Sequence, residues 1–302
     1  MYDIIIIGGG PAGLTAALYA RRAGKTVLVI EKGTFGGQIT FSPKVENISG
    51  FISISGNEFA EKLTEQVLEH GAEVECAEVL EIKDGNNIKT VVTDCGEFCA
   101  CAVIIATGAK HRMLGLPREE NLVGKGISFC AVCDGAFFAN RNVAVIGGGN
   151  SAMQEALLLS ELAKKVFVVQ NLDHCTGEQT LLDQLNSKPN IEILYNSTVT
   201  ELLGEDALSG IIVKDATQNS IKLDVDGMFI AIGLVPQNEF AKGIVALNDS
   251  GYIISDESCT LNSAGIFAAG DCRAKNIRQV ATAVADGAVA ALAACEYVEN
   301  LK

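Results

Sequence analysis

The chain has 302 residues, of which 48% are hydrophobic, enough to bury a core in about two domains of ordinary size. Its formal net charge of −14 argues against a nucleic-acid partner, because phosphate backbones are held by clustered Lys and Arg. The amino terminus offers only Ile4–Ile7 before three glycines, too short an apolar run for an export signal or a membrane span. We therefore expect a cytoplasmic protein without a membrane anchor, whose ten cysteines are kept reduced.

The first predicted element is the strand Ile4–Ile7, followed by Gly8-x-Gly10-x-x-Gly13 and an alanine-rich helix. In this context the glycines make a tight turn, let backbone N–H groups approach a pyrophosphate and let the helix pack closely. A second strand, Val27–Ile30, leads into Glu31, which is placed to bind an adenosine ribose. The pattern predicts a dinucleotide-binding unit; the alternative is a structural turn with a surface glutamate.

The same layout recurs 139 residues later in Asn142–Asn171, where Gly147–Gly149 take the place of the first three glycines. Two such units predict an α/β fold with two Rossmann-like, doubly wound domains. A strand-like stretch at 265–270 and a helix from about 280 to 298 imply that the chain returns to its first domain. We expect that domain to comprise residues 1–114 and 245–302, and the second domain residues 115–244. The predicted connections are a linker at 115–120 and a crossing near 241–250.

Between the two units lies Cys130-Ala-Val-Cys133, followed by Asp134. This spacing brings two sulfur atoms close enough to close a small disulfide ring, as in thiol–disulfide exchange. Zinc is the alternative, but it normally needs four N or S ligands, and no second pair of ligands lies nearby in the sequence. We expect no metal site.

A second group of cysteines, Cys95, Cys99 and Cys101, precedes the apolar strand 103–105. Three sulfur ligands are one too few for an iron–sulfur cluster, and free cysteine is often a small buried hydrophobe, so we expect these side chains to pack in the core. The three histidines are dispersed, which argues against a hydrolase built on His and a nucleophile.

Six motifs in a fixed order resemble one family, the low-molecular-weight thioredoxin reductases. They are Gly36-Gly37-Gln38, Glu46-Asn47, Ala106-Thr107-Gly108, the Cys130–Cys133 segment, Gly270-Asp271 and Arg278-Gln279-Val280. The resemblance implies an FAD enzyme and a homodimer in which Cys130 and Cys133 form the redox disulfide and Asp134 donates a proton to the departing thiolate. The expected FAD-binding residues are Gly8, Gly10, Pro11, Ala12, Gly13, Glu31, Lys32, Gly37, Gln38, Asn47, Val79, Ala106, Thr107, Gly108, Gly270, Asp271, Arg278, Gln279 and Val280.

The second nucleotide unit departs from the family pattern. Gln170 stands where Glu31 stands in the first unit, and Asn171, Leu172 and Thr176 stand where NADPH-using members carry arginines. A nucleotide ribose favours a carboxylate at this strand end, and a 2′-phosphate favours arginine. We therefore expect no NAD(P)H and an empty second turn kept for backbone packing.

This departure resembles the ferredoxin-dependent flavin thioredoxin reductases, which take single electrons from an iron–sulfur protein. The sequence thus predicts electron transfer from ferredoxin through FAD to Cys130 and Cys133, and on to thioredoxin. The alternatives are an NAD(P)H-dependent thioredoxin reductase and a non-catalytic flavoprotein redox sensor. Because ferredoxins are usually acidic, docking would need a basic patch, for which Lys110–Arg112 and Arg273–Arg278 are candidates.

Overall fold

Strands and helices alternate over residues 2–76, as the apolar runs and glycine turns predict, and four further strands follow over residues 79–111. The computed structural model describes residues 1–42, 45–85 and 87–301. The elements up to the first change of domain are β1 (Tyr2–Ile7), α1 (Pro11–Arg22), β2 (Val27–Glu31), α2 (Gly56–Glu69), β3 (Glu73–Cys76), β4 (Val79–Asp84), β5 (Lys89–Thr93), β6 (Gly96–Ile105) and β7 (Ala109–His111).

The remaining elements repeat the alternation and then return to a strand and a long helix. They are α3 (Glu119–Leu122), β8 (Ile127–Ser128), α4 (Ala131–Asp134), β9 (Asn142–Ile146), α5 (Asn150–Ser160), β10 (Lys165–Val169), α6 (Gln179–Ser187), β11 (Ile191–Leu194), β12 (Thr198–Leu203), β13 (Gly210–Lys214), β14 (Ser220–Leu223), β15 (Gly227–Ile230), β16 (Leu234–Pro236), β17 (Ile266–Ala268) and α7 (Val280–Asn300).

The chain divides into two compact units. The first unit contains residues 1–110 and 235–302, and the second contains residues 111–234. The sequence places these crossings after residue 114 and before residue 245, which is 4 and 10 residues later in the chain than the structure does. The fold class, α/β with two Rossmann-like units, is confirmed.

The first unit is built on a seven-stranded sheet. Strands β3, β2, β1, β6 and β17 are parallel, and β5 and β4 continue from β6 as an antiparallel meander. The sheet is covered on both faces: Ile4 and Ile6 of β1 pack with α1 and α7, whereas Ile5 and Ile7 pack in a second cluster on the other face. Burial on both faces explains why β1 is a continuous apolar run.

Helix α7 returns the chain to the first unit by packing on α1. A Cβ at Gly287 would lie 2.2 Å from the carbonyl oxygen of Ala12, so only glycine permits this approach of the two helices. Among the described residues, α7 alone has the length and mean hydropathy, 1.3, of a membrane span, a property that core helices of globular proteins share.

The second unit has an all-parallel sheet in the order β11-β10-β9-β15-β8, and a separate antiparallel sheet of β12, β13 and β14. The segment 115–120, expected to be a linker, instead folds as part of this unit. Glu119 is 2% exposed, and its carboxylate accepts hydrogen bonds from the N–H groups of Leu114, Gly115 and Leu116 at 2.7–3.1 Å. The linker prediction is wrong here because one buried carboxylate organises three backbone donors.

Candidate functional site

The glycine turn of the first unit joins β1 to α1 through two close contacts. Gly8 has a φ of +113°, and a Cβ there would lie 2.3 Å from the carbonyl oxygen of Ala106. A Cβ at Gly13 would lie 1.9 Å from the carbonyl oxygen of Gly8. A side chain at either position would push α1 away from the strands, so these glycines hold the start of the helix against the sheet.

The amino terminus of α1 is open to a ligand. Its N-cap residue, Gly10, has no side chain to cap the helix, and Pro11 carries no N–H group. The following N–H groups form the positive end of the helix dipole, where phosphate is favoured.

Glu31 ends β2 with its carboxylate directed at the glycine turn. Oε2 accepts a hydrogen bond from the Gly9 N–H at 2.7 Å, and Oε1 accepts one from the Gly33 N–H at 2.8 Å. The Gly9 carbonyl accepts a further bond from the Gly36 N–H at 2.7 Å. The structure thus brings the predicted ribose-binding residue and the predicted phosphate turn together.

A later segment, residues 270–278, reaches the same edge of the first unit. Gly270, with a φ of +78°, is so close to Ala12 that a Cβ would lie 2.8 Å from the Ala12 Cβ. The next residue, Asp271, has a buried Oδ1 with no hydrogen-bond partner among the described residues, and Lys275 Nζ lies 3.5 Å away. Burial raises the pKa of Asp271, and Lys275 and Arg278 oppose that rise. An unsatisfied buried acceptor of this kind fits a hydroxyl group of a ligand.

Thr107 is tied to this edge by a residue that is not among those predicted from the sequence. Its hydroxyl donates to Asn238 Oδ1 at 3.0 Å. Asn238 is 2% exposed and donates to the carbonyl groups of Gly251 and Cys272 at 2.9 and 3.2 Å. No local pattern marks Asn238, because its three partners are distant in the sequence.

The predicted residues around the start of α7 also meet. Asn47 Nδ2 donates to Gln279 Oε1 at 3.1 Å, and Gln279 caps α7 through a reciprocal pair of bonds with Thr282. The Arg278 guanidinium lies 4.2 Å from the ring centre of Tyr252. These contacts order the segment between Asp271 and α7.

Other predicted residues lie at the margins of this region. Lys32 pairs with Glu78 at 3.2 Å on the surface, next to the half-buried Val79. Gln38 is exposed in a short 3₁₀ turn, Gly37–Phe41. The flanking residues Gly37, Ala106, Gly108 and Val280 contribute backbone or apolar surface. Their roles in binding FAD stay predictions.

The first unit fits a dinucleotide cofactor such as FAD. The glycine cradle and the open end of α1 suit a pyrophosphate, and the Glu31 carboxylate suits a ribose. The unsatisfied oxygen of Asp271 suits one further hydroxyl group. Three separate segments of the chain supply these groups.

The second unit repeats the backbone of this turn. Gly147 has a φ of +129°, its N–H donates to the Val169 carbonyl at 3.0 Å, and a Cβ on it would lie 2.6 Å from the carbonyl oxygen of Ala231. Gly149 is the N-cap of α5 and, like Gly10, offers no side-chain cap. The repeat inferred from the sequence is therefore a repeat in three dimensions.

The side chain at the strand end is what differs. Gln170 is 4% exposed; its amide donates to the His174 carbonyl at 2.9 Å, and its Oε1 accepts from the Asn171 N–H at 3.1 Å. Both ends of the Gln170 side chain therefore bond to the loop that follows β10. The side chain is also uncharged, so it offers neither a carboxylate to a ribose nor a cation to a phosphate.

A second contact closes the loop over the start of α5. Asn150, the first residue of α5, accepts from the Glu178 N–H at 2.7 Å and donates to the Glu178 carboxylate at 3.2 Å. From Gln170 to Ser187 the sequence has no Lys or Arg, whereas Asp173, Glu178 and Asp183 are acidic. A carboxylate next to the helix start disfavours a phosphate there, because like charges repel.

The thiol pair lies at the first turn of α4. The structure joins Cys130 and Cys133 in a disulfide with Cα atoms 5.3 Å apart, and the Cys133 N–H donates to Cys130 Sγ at 3.2 Å. Val132, between them, is 64% exposed. The pair is thus held by local backbone bonds at a surface that a partner can approach.

Asp134 is held next to the pair by Ser128, a residue not predicted from the sequence. The Ser128 hydroxyl donates to Asp134 Oδ2 at 2.6 Å and accepts from the Cys130 N–H at 3.1 Å. Oδ1 of Asp134 is buried without a partner among the described residues. Burial raises the pKa of Asp134 and the Ser128 bond opposes this, so the carboxyl keeps its proton to a higher pH than usual.

A second half-buried acid, Glu155 on α5, lies behind α4. Burial raises the pKa of Glu155 to about 8, opposed by a hydrogen bond from the backbone of Ala131. One of its oxygens, Oε2, has no partner among the described residues. Glu155 therefore belongs to the surroundings of the thiol pair, although nothing in its local sequence indicates this.

Two expectations are corrected by burial. The core-packing prediction is wrong for Cys95, which is exposed in the turn between β5 and β6, whereas Cys99 and Cys101 are half-buried. The basic patch at 273–278 is largely turned inward: Arg273 is 8% exposed and pairs with Asp286 at 2.7 Å. Within the described residues no cluster of His, Cys, Asp or Glu suits a metal ion.

Comparison with known proteins places these features in a family. The family model described as pyridine nucleotide-disulphide oxidoreductase matches residues 2–287. Thioredoxin reductase from Listeria monocytogenes is 44% identical over 100% of this chain and 95% of that protein, and the Bacillus subtilis protein of the same name is 40% identical over 100% and 95%. The crystal structure of thioredoxin reductase from Streptococcus pyogenes superposes with a TM-score of 0.94 at 40% identity, covering 99% of each chain. The chain therefore belongs to the pyridine nucleotide-disulphide oxidoreductase family, in the group of the low-molecular-weight thioredoxin reductases.

Proposed function

We propose that the protein is a flavin-dependent thioredoxin reductase, which reduces the Cys130–Cys133 disulfide with electrons from FAD and then reduces the disulfide of thioredoxin. The observation that carries this proposal is the accessible disulfide with the buried Asp134 carboxyl beside it. The glycine cradle of the first unit and the names of the relatives support the cofactor and the acceptor, respectively.

The residues around the disulfide account for the protons of the reaction. Breaking the S–S bond with two electrons gives two thiolates, which take up two protons. The electron pair would come from the bound flavin in its reduced form, which the electron donor must regenerate. Asp134, whose pKa is raised by burial, donates one proton to the departing sulfur, while Ser128 holds the carboxyl in place. Solvent supplies the second proton. One thiol of the pair then loses its proton and attacks the thioredoxin disulfide, and resolution of the mixed disulfide re-forms the Cys130–Cys133 bond and leaves thioredoxin as a dithiol.

Two electron donors are candidates, NAD(P)H and ferredoxin. The description of the matching family names pyridine nucleotides, and the names of the relatives compared above do not mention ferredoxin. NAD(P)H therefore has more support as the electron donor than the ferredoxin expected from the sequence. The ion pairs of Arg273 and Lys275 with Asp286 also remove part of the basic patch proposed for ferredoxin docking.

Ferredoxin is retained as a second candidate because of the second glycine turn. Gln170 is committed to its own loop, and the Asn150–Glu178 contact places a carboxylate at the start of α5. A pyridine nucleotide would have to bind without a carboxylate for its ribose or a cation for its phosphate. These features favour a donor that does not use this pocket.

Anaerobic reduction of the flavin separates the two donors. The purified holoenzyme is mixed with NADPH, NADH or reduced ferredoxin, and the loss of flavin absorbance is followed. Rapid bleaching by micromolar NADPH or NADH establishes a pyridine-nucleotide enzyme and excludes the need for ferredoxin. If reduced ferredoxin bleaches the flavin and neither NADPH nor NADH does, the protein is a ferredoxin-dependent enzyme.

Cys133→Ser tests the thiol pair. We expect the variant to keep FAD and to be inactive in the reduction of thioredoxin disulfide, with Cys95→Ser, an exposed cysteine outside the pair, as the control. Retained activity would remove the pair from the reaction. Multiple turnovers by the wild-type protein would exclude the non-catalytic sensor.

The homodimer and the cytoplasmic location stay predictions, the first from the resemblance and the second from the sequence. Sedimentation equilibrium of the holoenzyme checks the dimer. A mass close to 31.7 kDa would contradict it.

A further inference from the structure

Five charged side chains surround the turn between β17 and α7: Asp271, Arg273, Lys275, Arg278 and Asp286. We call them the Asp286 cluster. Asp286, on α7, uses both carboxylate oxygens: Oδ1 pairs with Arg273 at 2.7 Å, and Oδ2 accepts from Lys275 Nζ and from the Gly270 N–H, each at 3.0 Å. The helix thereby fixes the backbone of the turn and two of its cations.

Lys275 bridges the two carboxylates of the cluster. Its Nζ lies 3.0 Å from Asp286 and 3.5 Å from Asp271 Oδ1, and it also donates to the Thr282 hydroxyl at 3.4 Å. The side chain is only 14% exposed, so solvent screens these interactions weakly. Two of the three partners, Asp286 and Thr282, lie on α7 and anchor the ammonium group from one side.

Asp271 is the incompletely satisfied member. Its Oδ1 has no hydrogen-bond partner among the described residues, although it is buried. Arg278 donates to the backbone carbonyl groups of Asp271 and Arg273, at 3.4 and 3.3 Å, and not to the Asp271 carboxylate. Lys275 is therefore the cation nearest to this carboxylate oxygen and limits where it can point.

We propose that Lys275, anchored by Asp286, is a positioning residue that holds the Asp271 carboxylate in place for a hydroxyl group of the bound flavin cofactor. The inference rests on the proposed function, because it requires that the first unit bind FAD. An ionised acceptor makes a hydrogen bond about twice as strong as a neutral one. Asp286 acts one step further away, through Lys275 and the Gly270 N–H.

The test is the rate at which the purified holoenzyme releases FAD, followed by the fluorescence of free flavin at pH 6, 7 and 8. We expect Lys275→Met to release FAD about tenfold faster or more. The difference should grow as the pH falls, because Asp271 without Lys275 takes up a proton at higher pH. Lys83→Met, which removes an exposed lysine paired with Glu97 on the same unit, should behave as the wild type.

Two results would overturn the proposal: a wild-type release rate in Lys275→Met, or an increase of equal size at all three pH values, which indicates lost packing alone. If circular dichroism shows that Lys275→Met is unfolded, Asp286→Asn is judged by the same criteria. This variant keeps an oxygen for the Gly270 N–H but loses the charge that anchors Lys275. A wild-type protein that binds no FAD would instead refute the proposed function.

Discussion

The two glycine turns have the same backbone but different surroundings. Gly8 and Gly147 both adopt a positive φ, and each lies against the carbonyl of an alanine at the end of a neighbouring segment. In the first unit the strand-end carboxylate, Glu31, bonds to the turn itself, whereas in the second unit Gln170 bonds to its own loop. Close packing thus accounts for the same turn in both units, and the units differ in the strand-end side chain that a nucleotide ribose would meet.

The largest expected effect concerns the last glycine of the first turn, Gly13, and the residue that takes its place in the second turn, Ala152. Gly13→Ala would place a Cβ 1.9 Å from the Gly8 carbonyl oxygen, which displaces α1, costs roughly 1–3 kcal/mol or more and abolishes flavin retention. The matched control is Ala152→Gly in the second unit, which should cost only about 1 kcal/mol. Flavin content and thermal unfolding measure both; equal flavin content in the two variants would contradict the comparison.

The second prediction restores positive charge to the second unit. In Asn171→Arg/Leu172→Arg/Thr176→Arg we expect kcat/KM for NADPH to rise about tenfold or more, because arginine makes charge-assisted bonds to a phosphate. The gain should shrink with added salt. NADH, which lacks the 2′-phosphate, is the control substrate. An unchanged NADPH to NADH ratio would show that the loop conformation, not the missing charge, limits binding.

Exchanging the two strand-end residues has a smaller effect. Glu31→Gln removes a charged acceptor from the Gly9 N–H and should weaken FAD binding about tenfold, as measured by flavin release. Gln170→Glu turns a buried donor to the His174 carbonyl into an acceptor and should lower the free energy of unfolding by about 1–3 kcal/mol without loss of flavin. The comparison fails if Glu31→Gln destabilises the fold but leaves flavin release unchanged.

The last prediction concerns Glu155, which stands where α1 has the buried Ala16. Burial raises the pKa of Glu155 from 4.5 to about 8, so the folded protein holds a proton that the unfolded chain releases. The contribution to stability is therefore present below pH 4.5 and is lost as the pH rises towards 8. Glu155→Gln should flatten the dependence of Tm on pH between 5 and 8; parallel profiles for the two proteins would contradict the assignment.

The sequence predicts what is encoded locally. Both glycine turns, their strands and the thiol pair are recognisable because each is a short stretch whose local structure requires particular residue types at fixed spacing. Asn238 and Ser128 are not predictable in this way, because each bonds to a residue whose position depends on tertiary structure. Glu119 and Arg273 mislead for the same reason: charged residues in a loop suggest a surface, but buried partners satisfy them.

The contact of Gly287 with Ala12 has a consequence for biosynthesis. The first unit cannot close until a helix more than 250 residues downstream has left the ribosome, whereas the segment 111–234 is contiguous and complete much earlier. At about 5–20 residues per second, the nascent amino-terminal strands wait on the order of tens of seconds for their covering helix. We therefore expect the first unit to bind FAD late in synthesis, after the second unit, which carries the thiol pair, has folded.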